Sequence, residues 1–188
     1  MRMRPAGPQR RDTVWLGALP YALIAAGAVL RIVPHPWNFA PIGALALFGG
    51  AVLPGTLGLA VPLAALVLSD AVLGFYPGIG WVYGSYLLIA LLGRALRGRR
   101  PTGRVVAYSV AASVLFYVVT NFGEWLGPLY PHTPAGLVAS YVAAIPFFRN
   151  TVLSDVCYSL ALFAIYGHAA RVAERRAGRL APAAQRTT

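Results

Sequence analysis

Charge is scarce in this sequence, and acid is scarcest: five Asp and Glu stand against 16 Lys and Arg in 188 residues, and only 11% of the chain is charged. A soluble domain carries about 25% charged residues. With 58% of residues hydrophobic and a mean hydropathy of +0.64, the composition excludes an ordinary water-exposed fold. One cysteine, Cys157, excludes an internal disulfide and a thiolate metal cluster. Missing too are the roughly ten-residue alternating segments of a membrane β-barrel. The chain has no G-x-x-x-x-G-K-[ST] phosphate loop, so ATP hydrolysis is not its own work. No H-E-x-x-H, G-x-S-x-G or paired-aspartate motif marks an enzyme, and no catalytic residue, metal or cofactor is assigned.

What the chain does have is a series of long apolar runs, and these define an all-α, polytopic transmembrane bundle. One domain accounts for the length. A basic, Pro-containing tail without regular structure is expected over 1–12, a transmembrane domain over 13–170 and a second basic tail over 171–188. Six spans are expected, at about 14–33, 39–53, 56–75, 81–96, 105–126 and 148–170. Pro20 need not break the first, because neighbouring groups can satisfy the carbonyl it frees. The apolar stretch 135–147 is too short to span, and reads as an interfacial or re-entrant helix broken at Pro146.

The excess of basic charge is clustered. Arg2, Arg4, Arg10 and Arg11 precede the first span. Arg94, Arg97, Arg99, Arg100 and Arg104 surround one loop, and Arg171, Arg175, Arg176 and Arg179 follow the last span. Six spans put all three clusters on one side, which the positive-inside rule makes cytoplasmic: N-in and C-in, in the cell (inner) membrane. Placement at membrane flanks argues against a nucleic-acid partner and for the lipid bilayer.

That topology gathers the polar residues of the spans at the opposite, outer end. The Pro-rich stretch His35-Pro36-Trp37-Asn38-Phe39-Ala40-Pro41 interrupts two apolar runs just after Arg31. Asp70, Tyr76, Asn121, Glu124, His132, Arg149, Asn150 and Asp155 arrive at the same end from other connections. Ionisable groups in a membrane are costly and face a cavity or a partner. Candidate substrate-binding residues are therefore Arg31, His35, Trp37, Asn38, Asp70, Tyr76, Asn121, Glu124, Arg149, Asn150 and Asp155. Thr151 and Asp155 share a helical face, as do Thr120 and Glu124. A bland reading stands beside this one: the acids pair with Arg31 and Arg149 to hold the bundle, and the Trp and Tyr residues form an interfacial belt. His35 and His132 fit interfacial side chains better than metal ligands, and Cys157 a small packing residue. Ala18, Ala22 and Ala26, at i, i+4 and i+8, form a ladder on which another helix can pack closely.

The segments Asn38-Phe39-Ala40-Pro41-Ile42-Gly43-Ala44, Leu68-Ser69-Asp70-Ala71-Val72-Leu73-Gly74-Phe75, Thr120-Asn121-Phe122-Gly123 and Pro146-Phe147-Phe148-Arg149-Asn150-Thr151 resemble an uncharacterised family of small bacterial membrane proteins described as transport proteins. The resemblance covers roughly residues 30–165. In size and layout the chain is also loosely similar to the S components of energy-coupling-factor (vitamin) transporters. That similarity implies a site near the outer face roofed by the loops after helices one, three and five, and a transmembrane coupling subunit with cytoplasmic ATPases. It also implies that Ala18, Ala22 and Ala26 meet the coupling subunit. A cysteine that ligates cobalt in some such proteins has no supporting motif around Cys157. The expected function is uptake of a small nutrient or vitamin. The alternatives are a structural or assembly subunit and an intramembrane enzyme.

Overall fold

A computed structural model describes residues 9–184. Residues 1–8 and 185–188, the ends of the two expected tails, lie outside the described residues. Six α-helices and no strand occur among the described residues: α1 (Gln9–Ile32), α2 (Ile42–Val52), α3 (Leu57–Leu73), α4 (Ile79–Gly93), α5 (Thr102–Leu126) and α6 (Pro134–Ala184). A 3-10 turn, Arg94–Leu96, continues α4.

Among the described residues four helices are long and apolar enough to cross a membrane: α1, α4 with its 3-10 turn, α5 and α6. The sequence led to six. The shortfall is in α2 and α3, which have 11 and 17 residues. At about 1.5 Å per residue α2 is roughly 16 Å long, near half of a bilayer's hydrocarbon core. Yet α2 is the centre of the bundle. It touches all five other helices, and every residue in it but Val52 is buried.

A helix enclosed this way needs close packing and satisfied ends. Small residues supply the first. A β-carbon on Gly50 would collide with the Ala90 carbonyl of α4, and one on Gly93 with the Leu47 carbonyl, so α2 and α4 meet backbone to backbone. Phe48 fills the other side, edge-on to Phe163 and Tyr166 of α6 with ring centroids 5.3 and 5.8 Å away.

The helix ends are the harder requirement, since orphan N–H and C=O groups have no water to turn to. At the C-terminal end of α2, Arg97 donates through Nε to the Gly50 carbonyl (3.2 Å) and through Nη2 to that of Leu53 (3.0 Å). Arg100 Nη2 donates to the Ala51 carbonyl at 2.9 Å, while its guanidinium lies 5.8 Å from the Phe163 ring centroid. Arg94 reaches the Gly55 carbonyl in the turn between α2 and α3. The arginine-rich loop is thus a cap for the central helix as well as a flank of basic charge.

Two expectations need correction. Residues 135–147 are neither re-entrant nor separate. They open α6, a continuous helix of 51 residues that runs through Pro146. Proline removes one intrahelical bond, the one to the Val142 carbonyl, and the flanking turns carry side-chain bonds of their own: Tyr117 Oη donates to the Tyr141 carbonyl at 2.6 Å and Thr151 Oγ1 to that of Phe147 at 3.1 Å. Short apolar length was taken for an independent element; packing against α5 extends it instead. Helix α1 begins at Gln9, inside the tail expected to lack structure, and passes through Pro20 without interruption.

Candidate functional site

The end of the bundle opposite the arginine loop is built on three junctions. At the first, Arg31 in the last turn of α1 reaches to α3. Its Nη2 lies 2.5 Å from Asp70 Oδ1, and its Nη1 donates to Ser69 Oγ at 2.6 Å. The Ser69 hydroxyl in turn donates to the Leu66 carbonyl at 2.8 Å. Asp70 is wholly buried, so this ion pair fastens α1 to α3 in a region where neither charge tolerates isolation.

The second junction holds the Pro-rich segment 33–41. Proline at 34, 36 and 41 keeps the preceding residues extended. Asn38 turns the chain with a φ of 56°, a left-handed conformation that Asn adopts more readily than most residues. One face of α6 then pins the segment. Asn150 Nδ2 donates to the Trp37 carbonyl (2.9 Å), Ser154 Oγ to that of Ala40 (3.2 Å), and Tyr158 packs on Phe39.

The third junction is the start of α2. Pro41 offers no side-chain cap, and the cap comes from α6 instead. The Asp155 carboxylate lies against the first turn of α2 at Gly43, and its Oδ2 accepts from Ser113 Oγ of α5 at 2.7 Å. A carboxylate at a helix N-terminus complements the helix dipole. It fits only because residue 43 is glycine: a β-carbon there would overlap the carboxylate.

Between these junctions lies a cavity of about 390 Å³, within the range of small-molecule sites. Arg31, His35, Asn38, Tyr76, Tyr86, Phe116, Thr151 and Asp155 line it, with Ile42 and Gly43 forming its floor. A second cavity of about 240 Å³ adjoins it and is lined by Trp37, Tyr117, Thr120 and Asn121. Asn38, Phe116 and Thr151 line both. Tyr76 stands in the connection between α3 and α4. Burial, and then the negative charge of Asp70, raise its phenol above the ordinary value, so it stays a hydroxyl donor.

The expected site residues divide accordingly. Arg31, His35, Asn38, Tyr76 and Asp155 line the larger cavity, and Trp37, Asn38 and Asn121 the smaller. Asp70 lies behind Arg31 and lines neither. Asn150 serves the Pro-rich segment, and its neighbour Arg149 is exposed outside both cavities, as is Glu124. Asn121 Nδ2 donates to the Tyr117 carbonyl one turn back, and His35 Nδ1 donates to the Val33 carbonyl at 2.6 Å. Sequence reasoning missed Tyr86 and Phe116, stacked with centroids 5.0 Å apart, because aromatic residues inside apolar runs look like core. Thr151 was visible as the helical neighbour of Asp155. Among the described residues no cluster of three or more His, Cys, Asp or Glu side chains is arranged to hold a metal ion. Ala18, Ala22 and Ala26 point away from the bundle and are exposed.

The model of a family of unknown function, DUF6580, matches residues 13–178, and the chain belongs to that family. No curated protein and no solved structure matches it.

Proposed function

We propose that this member of DUF6580 is an integral membrane transport protein that binds a small nutrient or vitamin, in the manner of an S component. The carrying observation is the 390 Å³ cavity at the end of the bundle opposite the arginine loop. Under the positive-inside rule that end faces outward in the cell (inner) membrane, with both termini cytoplasmic. In this reading α2 and α3 complete six passes, and the outward end admits ligand past the 33–41 segment. The protein acts as a binding subunit and not an enzyme. The exposed ladder Ala18, Ala22 and Ala26 offers a packing face to a transmembrane coupling subunit, with cytoplasmic ATPases supplying the energy.

A second reading has its own support. Arg31 pairs with Asp70, and Asn150 is spent on backbone, as in a structural or assembly subunit. Thermal unfolding of the purified protein against a panel of vitamins separates the two. Saturable stabilisation by one compound, removed by Val82→Trp in the cavity wall, is the transport outcome. If no compound stabilises the protein and cavity variants only lower its unfolding temperature, the structural reading replaces it.

A further inference from the structure

Resting on the reading of the cavity as a ligand site, we infer that its ligand is an organic cation, a protonated or quaternary amine joined to a flat ring.

The charge inventory of the cavity wall leads there. Arg31 is the one guanidinium that lines it, and both of its terminal nitrogens are committed, to Asp70 and to Ser69. That pair is neutral as a unit. Among the described residues Asp155 has no cationic partner. Its carboxylate accepts from the Ser113 hydroxyl and lies at the N-terminus of α2, while the residue remains part of the wall. In its ionised form Asp155 leaves the cavity one negative charge in excess, and a cation bound beside it favours that form. An anion entering it would meet that charge. It would also find the two groups suited to anions, the guanidinium and the α2 N-terminus, already occupied.

The apolar part of the wall favours the same class. Tyr76 stands in the connection at the end of α3, and Tyr86 and Phe116 form a stacked pair further in. Aromatic faces attract ammonium groups and accept a flat ring by stacking. Tyr86 and Asp155 line the same cavity, so ring surface and carboxylate share one compartment. His35, the remaining titratable group of this wall besides the tyrosines, spends its Nδ1 proton on the Val33 carbonyl.

The test uses three probes that share a ring: benzyltrimethylammonium, benzyl alcohol and benzoate. Each is titrated against the full-length protein in detergent, with thermal unfolding as the readout. The cation is expected to stabilise saturably and more tightly than either partner. Asp155→Asn, which keeps an acceptor for the Ser113 hydroxyl, is expected to weaken the cation at least about tenfold while leaving benzyl alcohol unchanged. Should that variant not fold, Tyr76→Leu is expected to weaken the cation about threefold or more. Benzoate or benzyl alcohol binding as tightly as the cation, in a manner abolished by Val82→Trp, overturns the charge assignment and leaves the cavity as a ligand site. Saturable binding by none of the three overturns the assignment too, and the vitamin panel then decides whether the cavity binds anything.

Discussion

The carboxylate of Asp155 occupies the space that a β-carbon on residue 43 would need. Two helices distant in sequence therefore share one specification: glycine in the first turn of α2, and acid on the facing side of α6. The acid thereby stands at the N-terminus of α2, where Pro41 supplies no side-chain cap.

Gly43→Ala should destabilise the protein by about 1–3 kcal/mol, as overpacking of a close contact does. The cost should shrink in an Asp155→Ala background, where the space is vacated. Thermal unfolding of the two single variants and the double variant checks this, and strictly additive effects would contradict the contact.

Breaking the Arg31–Asp70 pair from one side should be far worse than removing it whole. Asp70→Ala leaves a guanidinium without its acid and should cost about 3–5 kcal/mol. Arg31→Leu combined with Asp70→Leu should cost less than the sum of the single changes. Unfolding midpoints of Asp70→Ala, the two leucine single variants and the double variant decide the matter.

The arginines at the other end should not be equivalent, although basic charge alone would make them so. Arg97→Ala and Arg100→Ala each free α2 carbonyls and should cost about 1–3 kcal/mol. Arg99→Ala, whose side chain is exposed, should stay within about 0.5 kcal/mol. Arg97→Lys keeps the charge but cannot reach Gly50 and Leu53 together, so it should recover only part of the loss. Equal effects at 97, 99 and 100 would reduce the loop to an orientation signal.

Asn38 turns the Pro-rich segment with positive φ. Asn38→Gly should be tolerated, whereas Asn38→Val should cost about 1–2 kcal/mol because its branched side chain resists that conformation. Trp37, 80% exposed, should be replaceable by Ala with little loss of stability. Circular dichroism melts of the three variants provide the comparison.

Much of this architecture was legible in the residues, and its limits are instructive. Apolar runs and clustered arginines marked the helices and the two ends of the bundle. The polar groups of the cavity end were visible because ionisable residues stand out in an apolar chain. Which of them pair was not visible. Arg31 with Asp70, and Asp155 with a helix terminus, are tertiary facts that spacing within a helix cannot carry. Length misled at 135–147, which reads as separate although it continues into α6 through Pro146, and it gives no hint that Ile42–Val52, only 11 residues long, is the enclosed centre of the bundle. Tyr86 and Phe116 carried no signal, since a cavity wall inside a bundle uses the same residues as a core.

The central claim is that the space between Arg31 and Asp155 holds a small molecule. Mass spectrometry of the solvent extract from purified protein tests it most directly, with wild type and Val82→Trp prepared in parallel from the same cells. The account predicts one compound present in near-stoichiometric amount with wild type and depleted from the variant. Equal recovery from both proteins, or no compound from either while ligand-free wild type remains unresponsive to the vitamin panel, would contradict it.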